Sequence, residues 1–562
     1  MMRSTPSVLT LAAALAAFAP SASSAHHTTA QPHDMAQPGA SAATSKGLPL
    51  YTNLGTWHHT IQTRSPRAQQ YFDQGLRMVY AFNHDEAIAA FEEAERLDPA
   101  CAMAPWGVAL ASGPNINLPI DSDHAKVAYA AIARAESLSV HAAPLERELI
   151  AALATRYSKD GEGDRKALDV AYADAMREVA QRHEGDDDTQ VLFAEAMMNL
   201  RPWDHWTHDG QPQPGTGEIM ATLERVLART PQHPGANHYY IHTVEASPHP
   251  EKALAAADRL PGLMPGAGHL VHMPAHIYER TGRYADGVTA NTKAIVVDEK
   301  YIADRDPQGV YPLMYYSHNI HFLWAGLCDV GKSAEAIRRA RQVAARATPD
   351  MIAMMPMIEF VLPTTCYALA RFGKWEEILA ETAPPPTLRF TSGMWHYARG
   401  LALAATGKLD QAAAERDSVD EIGDAIPGDF VVGINAAKPL LRVAGAVLAG
   451  DLAYRAQRWD DAIAQYEDAV RKADDLKYDE PPAWYQPPRQ YLGKALLDAG
   501  RPADAERVYR EDLAQHPELA WSLMGLAQAL AAEGKTDEAK SVRARYDKAW
   551  AQADVKLTSS RF

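Results

Sequence analysis

Cysteine is scarce in this chain of 562 residues, which contains only Cys101, Cys328 and Cys366. So few cysteines exclude a disulfide framework, and their odd number leaves at least one free thiol unless an intermolecular bridge forms. Positive charge is also in deficit, because 55 lysines and arginines oppose 71 aspartates and glutamates and give a formal net charge of −16. An acidic surface argues against nucleic acids and anionic membranes as partners.

Long apolar runs and common catalytic signatures are missing as well. Beyond residue 25, no stretch approaches the roughly 18 apolar residues of a membrane-spanning helix, so we expect no membrane insertion. The sequence has no glycine-rich phosphate loop, no G-x-S-x-G nucleophile elbow and no H-E-x-x-H zinc motif. Any activity must therefore come from another arrangement of side chains.

The first residues have the composition of a segment that is removed from the mature protein. Arg3 precedes an apolar run at residues 8–19, and Ser23, Ser24 and Ala25 supply the small side chains that a signal peptidase accepts. We therefore predict a cleavable signal peptide at 1–25 and a secreted or periplasmic protein. Residues 26–48 contain little that could be buried, and they are predicted to form a disordered lead.

A repeated pattern of small, aromatic and proline residues organises the rest of the chain. Two distant segments place the same residue types at offsets 0, 12, 16 and 24, namely Gly75, Ala87, Phe91, Pro99 and Gly493, Ala505, Tyr509, Pro517. This pattern, with "FNHDEAIAAFEEAERLDP" at 82–99, resembles the tetratricopeptide repeat (TPR), a helix–turn–helix unit of about 34 residues. The resemblance implies an all-α fold, a right-handed TPR-type superhelical solenoid in which neighbouring units stabilise one another.

The repeat register covers most of residues 70–550 and divides the chain into arrays. We predict an N-terminal TPR array with a His/Glu-rich groove at 49–380, a C-terminal TPR array at 381–552 and a tail at 553–562. Four stretches interrupt the register and are expected to be loops or degenerate units: 205–217, 380–388, 416–440 and 478–488.

The resemblance also indicates which residues face the concave groove. In the TPR family, the first helix of each unit presents residues at −6, −3, +1 and +4 from its central small residue. Three consecutive units, centred on Ile241, Ala275 and Trp324, place mainly histidine and glutamate at these positions. The groove positions are Gly235, His238, His242, Glu245; His269, His272, His276, Glu279; and His318, His321, Ala325, Cys328.

Seven imidazoles that converge on one groove favour a bound metal ion. Protonated imidazoles would repel one another, whereas neutral imidazoles can share a cation through their lone pairs. Imidazole with some carboxylate suits Cu, Fe or Zn rather than Ca or Mg. A polar or pH-responsive groove without metal is the alternative. The predicted metal ligands are His238, His242, His269, His272, His276, His318 and His321.

Glutamates beside these histidines are candidates for acid–base chemistry. Glu245 and Glu279 each follow a histidine by three residues, which places both partners on one helix face. We predict that these two glutamates act as catalytic residues, either as metal ligands or as general bases. Glu195 is a further candidate, because it falls on a groove position if Ala194 is the small residue of the preceding unit.

Pro274 leaves two arrangements open for the central row of histidines. A proline inside a helix removes one hydrogen bond and kinks the axis, so the helix could bend between His272 and His276. Alternatively, the helix begins near Met273, and His269 and His272 lie on its first turn. The second arrangement makes His269 a less certain ligand.

These patterns predict an exported TPR solenoid with a transition-metal site in its groove, acting as a metal-dependent oxidoreductase or hydrolase. A TPR scaffold for protein–protein interaction and a non-catalytic metal-binding or delivery protein are the alternatives. The expected partners are a small molecule or peptide in the groove and a protein on the TPR surfaces. Nucleic acid and membrane insertion are not expected.

Overall fold

The computed structural model describes residues 48–159, 161–307 and 309–562. The predicted signal peptide at 1–25 and all but the last residue of the predicted disordered lead at 26–48 lie outside the described residues. Within the described ranges nearly all regular structure is helical, and the predicted all-α, TPR-type superhelical solenoid is confirmed. None of the described helices is both long and apolar enough to cross a bilayer.

The first half of the solenoid extends to the end of a long helix at residue 305. Its helices pair with their neighbours in sequence to form helical hairpins. They are α1 (Pro66–Tyr80), α2 (His84–Leu97), α3 (Met103–Ala111), α4 (Ser122–Leu138), α5 (Pro144–Ala154), α6 (Arg165–Arg182), α7 (Asp187–Met198), α8 (Thr216–Arg229), α9 (Pro234–Val244), α10 (Leu254–Leu263), α11 (Gly268–His272), α12 (Pro274–Arg280) and α13 (Tyr284–Arg305).

The second half begins with a π-helical turn (Tyr311–Tyr315) and continues as hairpins to the C-terminal segment. A short antiparallel pair, β1 (Val431–Val432) and β2 (Asn435–Ala436), interrupts it. The helices are α14 (Tyr316–Asp329), α15 (Ser333–Ala344), α16 (Pro349–Met354), α17 (Thr364–Arg371), α18 (Trp375–Ala380), α19 (Arg389–Ala405), α20 (Leu409–Ala425), α21 (Ala437–Arg455), α22 (Trp459–Asp474), α23 (Pro488–Asp498), α24 (Pro502–Gln515), α25 (Ala520–Ala532) and α26 (Thr536–Ala549).

Small residues let the two helices of a unit approach closely, as the repeat pattern predicts. A Cβ atom on Gly75 would lie 2.6 Å from the ring of Phe91, so a larger residue does not fit without movement. Gly493 has the same relation to Tyr509 in a C-terminal hairpin. Between the paired helices, turn glycines such as Gly407 adopt a φ of +80°, a conformation that glycine reaches without strain.

The C-terminal hairpins fold back onto the middle of the chain. The indole N–H of Trp521 in α25 donates to the Cys328 carbonyl oxygen at 3.0 Å, and the Ser333 N–H donates to Asp554 at 2.7 Å. The Arg371 guanidinium lies 3.8 Å from the centroid of the Trp521 ring. On the other side, α1 packs against α9. The groove of the middle hairpins is therefore enclosed by both ends of the solenoid.

The C-terminal segment after α26 is part of the packed body. Ser560 and Arg561 are buried, and the Arg561 guanidinium pairs with Asp451 of α21 and donates to the Tyr466 hydroxyl at 2.9 Å. Two large apolar cores fill the solenoid, one from Leu54 to Tyr315 and the other from Tyr284 to Leu557. The two cores overlap in sequence between α13 and the π-helical turn.

Candidate metal centre

Six of the seven predicted histidine ligands form one continuous group. His238 and His242 come from α9, His269 and His272 from α11, His276 from α12 and His318 from α14. Neighbouring imidazole centroids are 4.7–4.9 Å apart for the pairs 238–242, 238–269, 272–276 and 272–318. Except for the partly exposed His318, these side chains are buried. The group therefore collects residues that are up to 80 positions apart in the sequence.

The segment that carries His269, His272 and His276 is divided into two short helices at Met273. It therefore combines the predicted bend with the predicted helix start near Met273. Pro274 begins α12, while His269 and His272 lie on the short helix α11. Pro274 has no N–H and cannot donate a backbone hydrogen bond. The backbone instead forms a tight turn in which the His276 N–H donates to the Met273 carbonyl oxygen at 3.3 Å. Both short helices stay in line with the groove, and His269 remains inside the histidine group.

Hydrogen-bond acceptors orient the imidazole rings through their Nδ1 atoms. His238 Nδ1 lies 2.7 Å from the Tyr80 carbonyl oxygen, and His272 Nδ1 lies 2.6 Å from Asn291 Oδ1. The Asn291 amide is itself oriented, because its Nδ2 donates to the Gly287 carbonyl at 3.1 Å. An acceptor at Nδ1 holds the proton there and leaves Nε2 of the neutral ring with a free lone pair.

These Nε2 atoms point at one another. The Nε2 atoms of His238 and His269 are 3.1 Å apart, and those of His272 and His276 are 2.8 Å apart. Two nitrogens bound to one metal at about 2.0–2.1 Å are about 2.9–3.4 Å apart for right-angle to tetrahedral geometry. The Nε2 of His242 is buried and has no hydrogen-bond partner among the described residues. The spacing and the free lone pairs both fit a shared cation.

Two carboxylates complete the group at the His276 end. Glu245 caps α9 and places one oxygen 3.0 Å from His242 Nδ1 and the other 2.9 Å from His276 Nδ1. Glu480, from the loop between α22 and α23, also contacts His276 Nδ1. Both glutamates are buried, and Glu480 Oε1 lacks a hydrogen-bond partner among the residues described. The donor set therefore contains carboxylate as well as imidazole.

The electrostatics keep most of the imidazoles neutral. Burial, reinforced by neighbouring histidines, lowers the pKa of His238, His269, His272 and His318 well below the usual value. Burial also opposes the charge on His276, but Glu480 and Glu245 outweigh it and raise its pKa to about 10. Neutral imidazoles with free lone pairs are the form that binds metal.

Donor atoms within 4.8 Å of one another define three sets in the described part of the chain. These sets are His238, His242, His269; His272, His276, His318; and Glu245, His276, Glu480. The second and third sets share His276, and Glu245 links it to His242 of the first set. One polynuclear centre or two neighbouring mononuclear sites would both use these residues.

Two predicted site residues, His321 and Glu279, lie outside these three sets. His321 stacks on Trp324 with centroids 5.1 Å apart and packs against Phe360 at 5.4 Å. Glu279 belongs to none of the three sets and lines a smaller cavity beside Asp329, where burial raises its pKa well above the usual value. Glu279 still interacts electrostatically with Glu480 and His276, so its catalytic role stays a prediction.

Glu480 and Asn291 are site residues that sequence reasoning missed. Glu480 lies in the stretch "YDEPPAWYQPP", which the repeat register identified only as an interruption, and Asn291 lies on α13, the second helix of its unit. The register assigns the groove to first helices, so it could not select either residue. A carboxylate inside a proline-rich interruption was the available signal for Glu480. Glu195 has a different role, because it accepts a hydrogen bond from Asn199 and interacts electrostatically with Arg156.

A cavity of 240 Å³ adjoins the centre. His242, His269, His276, His318 and Glu480 belong to its polar lining, and His321 also lines it. Most of the remaining wall is aromatic, aliphatic or thioether, including Trp324, Phe360, Met351, Met355 and Met357. The side chains that could hold a metal therefore lie next to a space that could hold a small molecule.

Comparison with known families agrees with the architecture. Residues 447–485 and 492–554 match the tetratricopeptide repeat family. The matched residues run from the second half of α21 to just beyond α26, and the middle hairpins with the histidines lie outside the match.

Solved structures similar to this chain include a human IFIT1 dimer with m7Gppp-AAAA and a monomeric IFIT1 mutant with Gppp-AAAA. Each shares 11% identity, covers 87% of this chain and 91% of the other, and has a TM-score of 0.33. We draw no conclusion from similarity at this level. No curated protein matches the sequence.

Proposed function

We propose that this protein is an exported metal-dependent enzyme whose histidine–glutamate centre binds a transition-metal ion. The observation that carries the proposal is the arrangement of His272 and His276. Asn291 holds the proton of His272 on Nδ1, so its Nε2 lone pair faces His276 Nε2 at 2.8 Å. A cation between the two nitrogens satisfies both, and the neighbouring His318 completes a set of three imidazoles.

A proton is the competing way to satisfy this pair. With carboxylates at Nδ1, a doubly protonated His276 would donate from Nε2 to His272. The proton explanation does not extend to His242, whose Nδ1 faces Glu245 and whose buried Nε2 has no hydrogen-bond partner in the described part of the chain. A metal ion accounts for both places with one ligand chemistry, which is why we favour it.

The types of donor atom indicate which metals and which reaction types suit the centre. Imidazole with carboxylate suits Cu, Fe or Zn, and the absence of thiolate among the three sets argues against a soft, cysteine-based site. Such an ion supplies Lewis-acid or redox chemistry when bound, which supports an oxidoreductase or a hydrolase. Glu245 and Glu480 would hold and move protons at their carboxylate oxygens beside His276. A metal-binding or delivery role without turnover is the second candidate, favoured by the presence of more donors than one ion requires.

Metal content of the purified protein is the direct test. We expect about one or more equivalents of a transition metal in the wild type, a strong loss in His272→Asn, and wild-type content in the matched control His321→Asn, which removes a histidine outside the three sets. Metal content is measured by plasma mass spectrometry after export into the periplasm or medium. Less than about a tenth of an equivalent, with no rise in melting temperature on adding Cu, Fe or Zn, would refute the proposal.

Export is tested separately from the metal. We expect the mature protein in the periplasmic or secreted fraction, with an amino terminus near residue 26 found by terminal sequencing. A variant that lacks residues 2–25 should stay in the cytoplasm while the same array folds. An uncleaved wild-type chain found only in the cytoplasm would contradict export and leave the metal proposal to its own test.

A further inference from the structure

The cavity beside the metal centre has an apolar wall formed by several parts of the chain. Its aromatic side chains are Trp203, Tyr315, Trp324, Phe360, Tyr367, Phe390 and Tyr485, drawn from both halves of the solenoid. Tyr367 and Tyr485 lie parallel, with centroids 4.6 Å apart and an interplanar angle of 4°. Aromatic faces and thioethers favour planar apolar ligands through stacking and dispersion. A volume of 240 Å³ is close to the lower end of ligand pockets, about 300 Å³.

Charged side chains on the same wall are unequally satisfied. Glu480 contacts His276, and Asp479 accepts a hydrogen bond from the Glu480 N–H at 3.0 Å. Arg346 is the cation of the lining, and its donors contact only neutral groups: Nε donates to Ser317 Oγ at 2.6 Å and Nη2 to the Pro312 carbonyl. No carboxylate pairs with Arg346 among the described residues. A half-buried guanidinium without a counter-ion favours an anionic ligand.

We propose that the cavity binds an apolar, ring-containing molecule with a single acidic group that pairs with Arg346. This inference deepens the proposed function, because it names the substrate class of the same centre. The ring system would lie against the aromatic wall, and the acidic group would fix which end approaches the histidines. Arg346 flanks the start of α14 through its contacts with Pro312 and Ser317, and that helix carries His318. A ligand anchored there extends along the helix that contributes to the centre.

Two fluorescent probes that differ by one charge test this assignment without any metal. Anilinonaphthalene sulfonate carries the acidic group, and phenylnaphthylamine is the same ring system without it. Fluorescence titration of chelator-treated full-length protein gives the dissociation constant of each. We expect one equivalent of the sulfonate to bind, at least about ten-fold more tightly than the neutral probe.

Three variants separate the parts of the cavity. Arg346→Met should weaken the sulfonate at least about ten-fold and the neutral probe less than about two-fold, so retained binding of the neutral probe shows that the cavity is intact. Phe360→Ala should weaken both probes, since it removes part of the shared wall. Met354→Ala is the matched control, because Met354 is 71% exposed and does not line the cavity.

Outcomes for this inference and for the metal proposal are distinguishable. Equal affinity of the two probes, or equal loss of both in Arg346→Met, would overturn the substrate class whatever the metal content. Charge-dependent binding by chelated protein supports the substrate class even where metal analysis of the same preparation finds no ion. Metal binding without charge-dependent probe binding supports the centre and overturns the substrate class.

Discussion

The middle hairpins and the C-terminal hairpins share a repeat register but differ in the side chains that they bury at the groove positions. In the C-terminal unit centred on Gly400, the groove positions are Met394, Tyr397, Leu401 and Ala404, and all of them are buried in the core. The equivalent positions of the middle units hold histidine and glutamate, which are also mostly buried. Burial is therefore common to both regions, and only the chemistry of the groove side chains differs.

The buried carboxylates Asp451 and Asp512 of the C-terminal region have partners within the chain, although other buried polar atoms there, such as Arg371 Nε, lack a hydrogen bond. Asp451 pairs with Arg561, and Asp512 accepts from the Ser522 hydroxyl and from His516. In the middle region, His242 Nε2, His269 Nδ1 and Glu480 Oε1 are buried without hydrogen-bond partners among the described residues. Unsatisfied buried polar atoms destabilise a fold unless something else supplies the missing interaction. The unsatisfied atoms of the middle region belong to residues that form sets of potential metal donors, which favours a bound group there.

The largest expected effect is on the C-terminal side of this comparison. Asp451→Asn leaves the buried Arg561 guanidinium without its counter-ion, so we expect the free energy of unfolding to fall by about 3–5 kcal/mol. Urea unfolding followed by circular dichroism measures the change. Metal content should stay at the wild-type level in the folded fraction. A variant as stable as the wild type would show that the C-terminal charges are not a structural pair.

The second prediction concerns the middle region and changes both stability and the response to metal. Glu245→Gln removes a buried carboxylate whose pKa is lowered to about 2 by His242 and His276 in spite of burial. Because a lowered pKa means that the folded chain stabilises the ionised carboxylate, we expect the chelated variant to be less stable than the chelated wild type at neutral pH. Metal at about 100 times its dissociation constant should stabilise the wild type by about 2.7 kcal/mol and the variant by much less. Thermal melts with and without metal measure both quantities.

Asp512→Asn is the matched control for Glu245→Gln. It also removes one buried carboxylate, but from a place where a serine and a histidine hydrogen-bond to it. The chelated Asp512→Asn protein should be less stable than the chelated wild type, and its stabilisation by metal should match that of the wild type. Equal metal responses in the two carboxylate variants would remove Glu245 from the centre.

The fold could be predicted from the sequence because the repeat pattern consists of residues that the packing of paired helices requires. Gly75 and Gly493 must be small where Phe91 and Tyr509 cross them, and such a constraint is visible in any one repeat. The histidine group was predicted for the same reason, since its members occupy fixed register positions. Six predicted ligands lie together, and each of them sits on the first helix of a unit.

The remainder of the site depends on contacts that no local pattern encodes. Glu480 reaches His276 only because the C-terminal hairpins return to the middle of the chain, and it does so from a loop outside the register. Glu279 follows His276 on α12 but belongs to none of the three donor sets, and the turn at Pro274 separates it from the histidines of α11. Long-range closure and a local break in the helix are both decided by packing, so periodicity alone could not reveal them.

The third prediction uses pH to separate His321 from the centre. Burial lowers the pKa of His321 to about 3, whereas its pKa in the unfolded state is about 6.5. Below pH 6.5 the unfolded state therefore binds a proton that the folded state does not bind. Stability should therefore fall as the pH drops from 6.5 towards 3, by about 1.4 kcal/mol per pH unit, or about 2 kcal/mol at pH 5. His321→Phe keeps the stacking on Trp324 and removes this sensitivity. Urea unfolding of chelated protein at pH 7.5 and pH 5 should show a smaller loss in the variant, and equal losses would contradict the assignment.

The smallest expected effect compares two turn glycines, one in each region. Gly407 has a φ of +80° and no atom within 4 Å of an added Cβ, so Gly407→Ala should lose only the conformational term of about 1 kcal/mol. Gly282 has a φ of +78°, but its Cβ would lie 2.5 Å from the Pro517 carbonyl oxygen. Gly282→Ala should therefore be more destabilising than Gly407→Ala, because it also separates the middle turn from the C-terminal hairpins. If both variants lose the same melting temperature, the contact between Gly282 and the C-terminal hairpins contributes little to stability. If Gly282→Ala loses more and also binds less metal, packing of the C-terminal hairpins on the middle of the chain holds Glu480 at the centre.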